Sequence, residues 1–144
     1  MTTLNVKEIF NDLHQMPELG MQEYKTSAYL ADAMEKLGYD VTRNVGGTGV
    51  VAIEKGEEEG PVLLLRADMD ALPMKETTGL PYASEGEGTH SCGHDCHTAM
   101  LLGAAKLLKS MEDEIEGTVK LMFQPGEETL QGAVAMVEAG VLEN

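Results

Sequence analysis

Apolar and polar positions along this chain repeat with two different periods, and the switches between them mark out its elements. Val6, Ile9, Phe10 and Leu13 recur at helical spacing. Asn5 stands where an N-cap would, with Glu8 three residues on, the pattern of a capping box. Pro17 ends that helix. A second helical stripe over residues 22–37 carries Leu30, Ala33, Met34 and Leu37, and Gly38 is placed as its C-terminal cap. Strands are predicted over 39–43 and 49–54, joined through the flexible Asn44-Val45-Gly46-Gly47. Residues 54–60 read as an exposed acidic turn. The run Val62-Leu63-Leu64-Leu65 within 61–67 predicts a central strand buried on both faces. A long irregular segment, 68–96, follows; such segments in compact domains are usually functional or mobile. A helix over 98–110, a strand over 117–124 with Val119, Leu121 and Phe123 alternating, and a helix over 130–139 stopped by Gly140 complete the pattern.

The strand at 61–67, the helix at 98–110 and the strand at 117–124 form a β-α-β unit, so the two strands should be parallel and the crossover right-handed. The fold class is therefore α/β, with a mixed sheet and helices on both faces. Function in open α/β sheets gathers beyond the carboxyl ends of the strands. Asp68 and Asp70 lie just past the end of one strand, and Glu127 and Glu128 just past the other. The helix must begin at that same edge.

Composition narrows the function classes. The 144 residues suffice for one domain with a real core, and 42% hydrophobic content argues against disorder. Ten basic residues against 25 acidic ones give a net charge of −15, which repels nucleic acid and anionic membranes. No apolar run reaches the length of a membrane span, and the first residues lack a basic, apolar leader, so a cytoplasmic location is the default expectation.

The chemistry concentrates in His90-Ser91-Cys92-Gly93-His94-Asp95-Cys96-His97. This stretch holds both cysteines and three of the four histidines. It sits just before, and at, a helix N-terminus, where exposed N–H groups and the macrodipole favour anions and thiolates. Four readings are open at this point: a Cys92–Cys96 disulfide, a structural zinc site, a solvated polar loop, or a catalytic metal site completed from elsewhere in the fold. The topology brings Cys92, His94, Asp68, Asp70, Glu127 and Glu128 to one side of the sheet and favours the last. An adjacent Glu pair can be no more than an exposed helix start, but opposite this cluster one carboxylate can ligate a metal while its neighbour acts as general base.

Three stretches resemble one family. Arg66-Ala67-Asp68-Met69-Asp70-Ala71-Leu72-Pro73, then Cys92-Gly93-His94-Asp95-Cys96-His97, then Gly117-Thr118-Val119 through Phe123-Gln124-Pro125-Gly126-Glu127-Glu128 are similar to the amidohydrolase branch of the aminoacylase and carboxypeptidase metallopeptidases. Hippurate hydrolases, N-acyl-amino-acid amidohydrolases, N-acetyl-diaminopimelate deacetylases and auxin-conjugate hydrolases belong there. His14-Gln15-Met16-Pro17-Glu18-Leu19 also resembles that family's start. The resemblance implies a zinc-peptidase-like catalytic domain with two divalent ions, manganese or zinc, and a small N-acyl amino acid as substrate. It implies Cys92, His94 and Glu128 as metal ligands and Glu127 as general base. Asp70 would orient a site residue, with Asp68, Asp95 and His97 lining the site.

The same resemblance implies a longer protein, with further histidine ligands and a lid or dimerisation domain beyond the stretch seen here. Residues 1–144 are thus expected to form the N-terminal part of the catalytic domain, incomplete at its C-terminus, with one partial metal site retained. Two other expectations stand beside it: a short protein that binds one metal weakly without catalysis, and a fragment that survives by self-association through exposed sheet edges. Whether it forms a homo-oligomer is left open.

Overall fold

The computed structural model describes residues 5–143 and places four strands in one mixed sheet of order β1-β2-β4-β3. In chain order the elements are α1 (Val6–His14), α2 (Tyr24–Leu37), β1 (Asp40–Val45), β2 (Gly49–Lys55), β3 (Glu58–Asp68), α3 (His94–Lys109), β4 (Glu116–Gln124) and α4 (Gly132–Glu138), with a short 3-10 turn at Glu112–Glu114. The β1-β2 and β2-β4 pairs are antiparallel, whereas β3 and β4 run parallel, from Val62 opposite Thr118 to Asp68 opposite Gln124. The expected β-α-β unit is therefore present.

Period-two alternation assigns the sheet faces. Val50 and Ala52 of β2 with Val119, Leu121 and Phe123 of β4 join the main core, where Ile9, Leu13, Leu30, Met34 and Leu102 from α1, α2 and α3 meet them. Val51 and Met122 point the other way, toward Met136 of α4 and Val141. Helices thus cover both faces, three on one and one on the other. Lys120 lies on the α4 face, and its buried ammonium donates to the carbonyls of Val141 and Glu143 at 3.0 and 2.8 Å, which ties the chain after α4 to the sheet. The Asn5 side chain caps α1 by accepting from the N–H of Lys7, and Gly38 closes α2 at φ +92° as expected.

Three expectations need correction. Among the described residues, 61–67 do not form a central strand. β3 lies at the sheet edge, with Val62 and Leu63 exposed at 42% and 53%, and β4 takes the buried central place instead. An unbroken apolar run reports only a strand that can be buried on both faces; it carries no information on how many neighbours that strand has. The acidic turn is also shorter than expected, because β3 already begins at Glu58. Helix α3 begins at His94 rather than at residue 98, since Gly93 adopts the left-handed φ of +85° and lets the chain turn directly into the helix. His94, Asp95 and His97 therefore stand on the first helical turn. Among the described residues no helix is long and apolar enough to cross a membrane.

Candidate metal centre

The long segment between β3 and α3 folds back on itself. Leu72 and Thr89 exchange N–H···O bonds of 3.0 Å in both directions, so the segment leaves the sheet edge at Asp70 and returns to it at His90. That closure brings the Asp68–Asp70 end of β3 against the Cys92–His97 stretch. The turn after β4 delivers Glu127 and Glu128 to the same place.

His94 is the centre of the arrangement and is 2% exposed. Its Nδ1 lies 2.9 Å from the carbonyl of Asp70 and 3.2 Å from the Asp70 carboxylate, which fixes the ring. Its Nε2 faces the carboxylates of Asp68, Glu127 and Glu128 at 3.7, 3.8 and 3.8 Å. Those distances are too long for hydrogen bonds. They leave a gap bordered by one ring nitrogen and three carboxylates. Burial alone would lower the His94 pKa, but the Asp70 hydrogen bond and the nearby Asp68 raise it on balance. Asp70, 1% exposed, also accepts the N–H groups of both Glu127 and Glu128 at 3.0 Å. One carboxylate thus orients the imidazole and the Glu pair together. Burial would raise its pKa, but the His94 bond and these N–H donors hold it below the usual carboxylate value.

The turn carrying the Glu pair is fixed from a second side. Glu23, fully buried, accepts the N–H of Gly126 at 2.8 Å and that of Met21 at 3.0 Å. Gly20 packs so tightly here that a Cβ would sit 2.8 Å from Thr129 Cγ2 and 3.1 Å from both Asp70 Oδ2 and Gly126 Cα.

Cys92, His94 and Glu128 offer donor atoms that all lie within 4.8 Å of one another. Glu128 Oε1 is buried and has no hydrogen-bond partner. A buried, unpaired carboxylate oxygen is costly, and a cation between these donors would satisfy it. Thiolate, imidazole and carboxylate form a mixed set suited to zinc-like ions. The cysteines are not bonded to each other, so the disulfide reading is excluded in this structure. The expectation of a helix-stabilised thiolate also needs correction: the adjacent Glu128 carboxylate, slight burial and the charges of Glu127 and Asp68 push the Cys92 thiol up to about 11. Three carboxylates outweigh one helix end unless a cation offsets them.

Asp68, His94 and His97 form a second candidate group by the same distance test. Here the acceptors are already taken. Asp68 bonds His97 Nδ1 at 2.6 Å and pairs with Arg66 at 3.0 Å, while the His97 ring stacks on His94 with centroids 5.6 Å apart. Burial would raise the Asp68 pKa, but His97, His94 and Arg66 bring it below its ordinary value. Asp95 turns away from the gap toward His14 on α1, to which it is bonded at 2.6 Å. The sequence assigns no role to His14, Glu23 or Glu76. Nothing in their spacing marked them; only His14-Gln15-Met16-Pro17-Glu18-Leu19 gave a signal there, and it carried no role.

Residues 64–144 match the family model for peptidase family M20/M25/M40. The chain belongs to this family. It is 49% identical over 132 residues to an N-acetyl-L-cysteine deacetylase of Bacillus subtilis, covering 91% of this chain and 32% of that protein. It is 51% identical over 133 residues to the IAA-amino acid hydrolase ILR1-like 4 of Arabidopsis thaliana, covering 92% of this chain and 30% of that protein. Among solved structures, a Bacillus subtilis protein described as a dinuclear metal binding peptidase from the M20 family superposes with a TM-score of 0.92 at 44% identity, covering 96% of this chain and 39% of that one. The M20 chain thus spans about a third of the length of the relatives it matches. The α/β sheet with its β-α-β unit is that of M20 peptidase domains, and the relatives are hydrolases.

Proposed function

We propose that this M20 chain is the N-terminal part of the catalytic domain of a metal-dependent amidohydrolase that cleaves N-acyl amino acids of the N-acetyl or hippurate type. The names of its relatives support the substrate class. The observation that carries the reading is the Cys92, His94 and Glu128 donor set converging within 4.8 Å, with Glu128 Oε1 buried and unpaired.

In this reading Cys92, His94 and Glu128 hold a divalent ion, zinc or manganese. Bound there, the ion would supply Lewis-acid activation of water and of the amide carbonyl. Glu127 is the general base. Its side chain is 39% exposed, so it opens toward the substrate side while staying 3.8 Å from His94 Nε2. It takes one proton from the attacking water and returns it to the amine nitrogen as the C–N bond breaks, giving a carboxylic acid and an amine. Asp70 keeps both roles in register through its bonds to His94 and to the N–H groups of Glu127 and Glu128. Asp68 and His97 line one wall of the site, and Asp95 backs the helical turn that carries His94.

A second ion needs more than these three donors. In the resemblance the missing ligands come from the unmatched part of a longer protein, which would also supply a lid and dimerisation domain. The 144 residues alone should therefore turn over little. The reading also places the protein in the cytoplasm, without nucleic-acid or membrane partners. The test is hydrolysis of hippurate and a panel of N-acetyl amino acids by a protein carrying this domain, with manganese or zinc added. Cleavage of the panel that is lost on chelation supports the reading; no cleavage of any N-acyl amino acid under either metal overturns it.

A further inference from the structure

His14 occupies a junction of three elements. It is the last residue of α1, yet its Nδ1 lies 2.6 Å from Asp95 Oδ2 in the first turn of α3, and its Nε2 lies 3.2 Å from the Glu76 carboxylate in the long segment. Both partners are acceptors when ionised, so both ring nitrogens must donate. With both carboxylates ionised, that geometry suits the imidazolium form. The surroundings suit a cation: the Phe10 and Tyr82 rings flank it with centroids 5.4 and 5.5 Å away, and both carboxylate side chains are at most 3% exposed. The other titratable groups at the junction are His90, itself buried and near enough to interact electrostatically with His14 and Asp95, the Cys96 thiol beside Asp95, and Tyr82.

Each partner then passes the constraint on. Asp95 Oδ1 accepts the N–H of Cys96 at 2.8 Å, one of the free donors in the first turn of α3 beside His94. Glu76 accepts the N–H and hydroxyl of Ser84 at 2.6 and 2.9 Å and the hydroxyl of Thr78, gathering the irregular segment around itself. The Ser84 hydroxyl lies 2.9 Å from the carbonyl of Gly88, shortly before the segment re-enters the site. This hub adds to the Leu72–Thr89 closure and to the edge contact of Tyr82 with Phe10 in holding the stretch from residue 73 to 88.

We propose that His14 is a positioning residue for the metal centre: its imidazolium clamps Glu76 to Asp95, and so locks the segment that carries Cys92 onto α1 and α3. This rests on the reading of Cys92 as a metal donor given above, but the clamp can be judged without it. The experiment compares the parent with His14→Gln, His14→Lys and Glu76→Gln. Nitrogen-15 spectra of the metal-free parent at pH 6 should show both His14 ring nitrogens protonated. His14→Gln should raise the rate of tryptic cleavage at exposed Lys75 by about tenfold or more, as local opening becomes easier. It should also weaken cobalt binding by about 10–100-fold, the usual cost of losing a supporting contact behind a metal site. His14→Lys, a cation able to donate to both carboxylates, should restore both. Should His14→Gln fail to fold, Glu76→Gln leaves α1 intact and should show the same two effects in smaller measure. A His14 ring with one bare nitrogen overturns the clamp, as does a cleavage rate unchanged in both neutral variants. If the clamp signatures appear but cobalt binds no variant, the metal-site reading fails and the clamp of the segment stands.

Discussion

His94 and Asp95 are neighbours in sequence, yet they serve groups in opposite electrostatic states. Around Asp95 every charge has a partner: the His14 ring sits between two carboxylates, and each carboxylate is bonded further to backbone or hydroxyl donors. Around His94 the charges face a gap. Three carboxylates stand 3.7–3.8 Å from Nε2, Glu128 Oε1 has no partner, and the Cys92 thiol is driven toward protonation by its acidic neighbours. On the reading proposed above, the paired group holds the chain in place unaided, whereas the unpaired one is completed by a cation. A protein of net charge −15 can fill a surface with carboxylates at little cost, but a buried carboxylate oxygen without a partner, as at Glu128 Oε1, is costly.

The two groups differ most at Glu127. Glu127→Gln keeps the shape of the side chain and removes the proton acceptor, so turnover should fall by about 10²–10⁴-fold with metal content by elemental analysis unchanged. Activity within a few-fold of the parent would move the base elsewhere. Asp70 belongs structurally to both states, being paired itself while it organises the unpaired donors. Asp70→Ala should destabilise the fold by about 3 kcal/mol, because two N–H groups and the His94 ring lose a buried acceptor. Chemical denaturation measures this, and a cost below about 1 kcal/mol would mean that the turn is held by Glu23 alone. Gly20→Ala should cost about 1–3 kcal/mol by overpacking against Thr129 and Gly126, and should disturb metal binding more than its distance from the donors suggests.

The paired group should leave a smaller, pH-dependent signature. Burial works against charge on His14, but the Asp95 and Glu76 bonds raise its pKa above 6.5, so its contribution is complete below 6.5 and is lost as pH rises through the raised value. Glu76 is lowered from 4.5 to about 2, chiefly by its bonds to Thr78 and the Ser84 N–H, so its contribution is complete above 4.5 and is lost as pH falls toward about 2. The stability difference between the parent and His14→Gln should therefore be largest between about pH 4.5 and 6.5. A difference that grows steadily above pH 7 would contradict this assignment of charges.

Much of the unpaired group was legible in the sequence. Its residues cluster in 90–97, or fall just past strands that hydrophobic periodicity identifies, and connection rules then bring them to one edge. The paired group was not legible. His14 is 62 residues from Glu76 and 81 from Asp95, and no periodicity links a helix end to a loop and a later helix turn. The edge position of β3 was missed for a related reason. Val62-Leu63-Leu64-Leu65 states a preference for burial but not how many strands flank it, and among the described residues only β4 pairs with β3.

Cys92, His94 and Glu128 are proposed to bind a divalent ion together. Cobalt titration of the reduced protein, followed by absorption, addresses it directly, since a thiolate bound to cobalt adds near-ultraviolet charge-transfer intensity that nitrogen and oxygen donors do not. The parent and Cys96→Ser should show that band saturating with added cobalt, and Cys92→Ser should lose it while binding the ion more weakly. A band absent from the parent, or one that survives in Cys92→Ser and disappears in Cys96→Ser, would contradict the assignment.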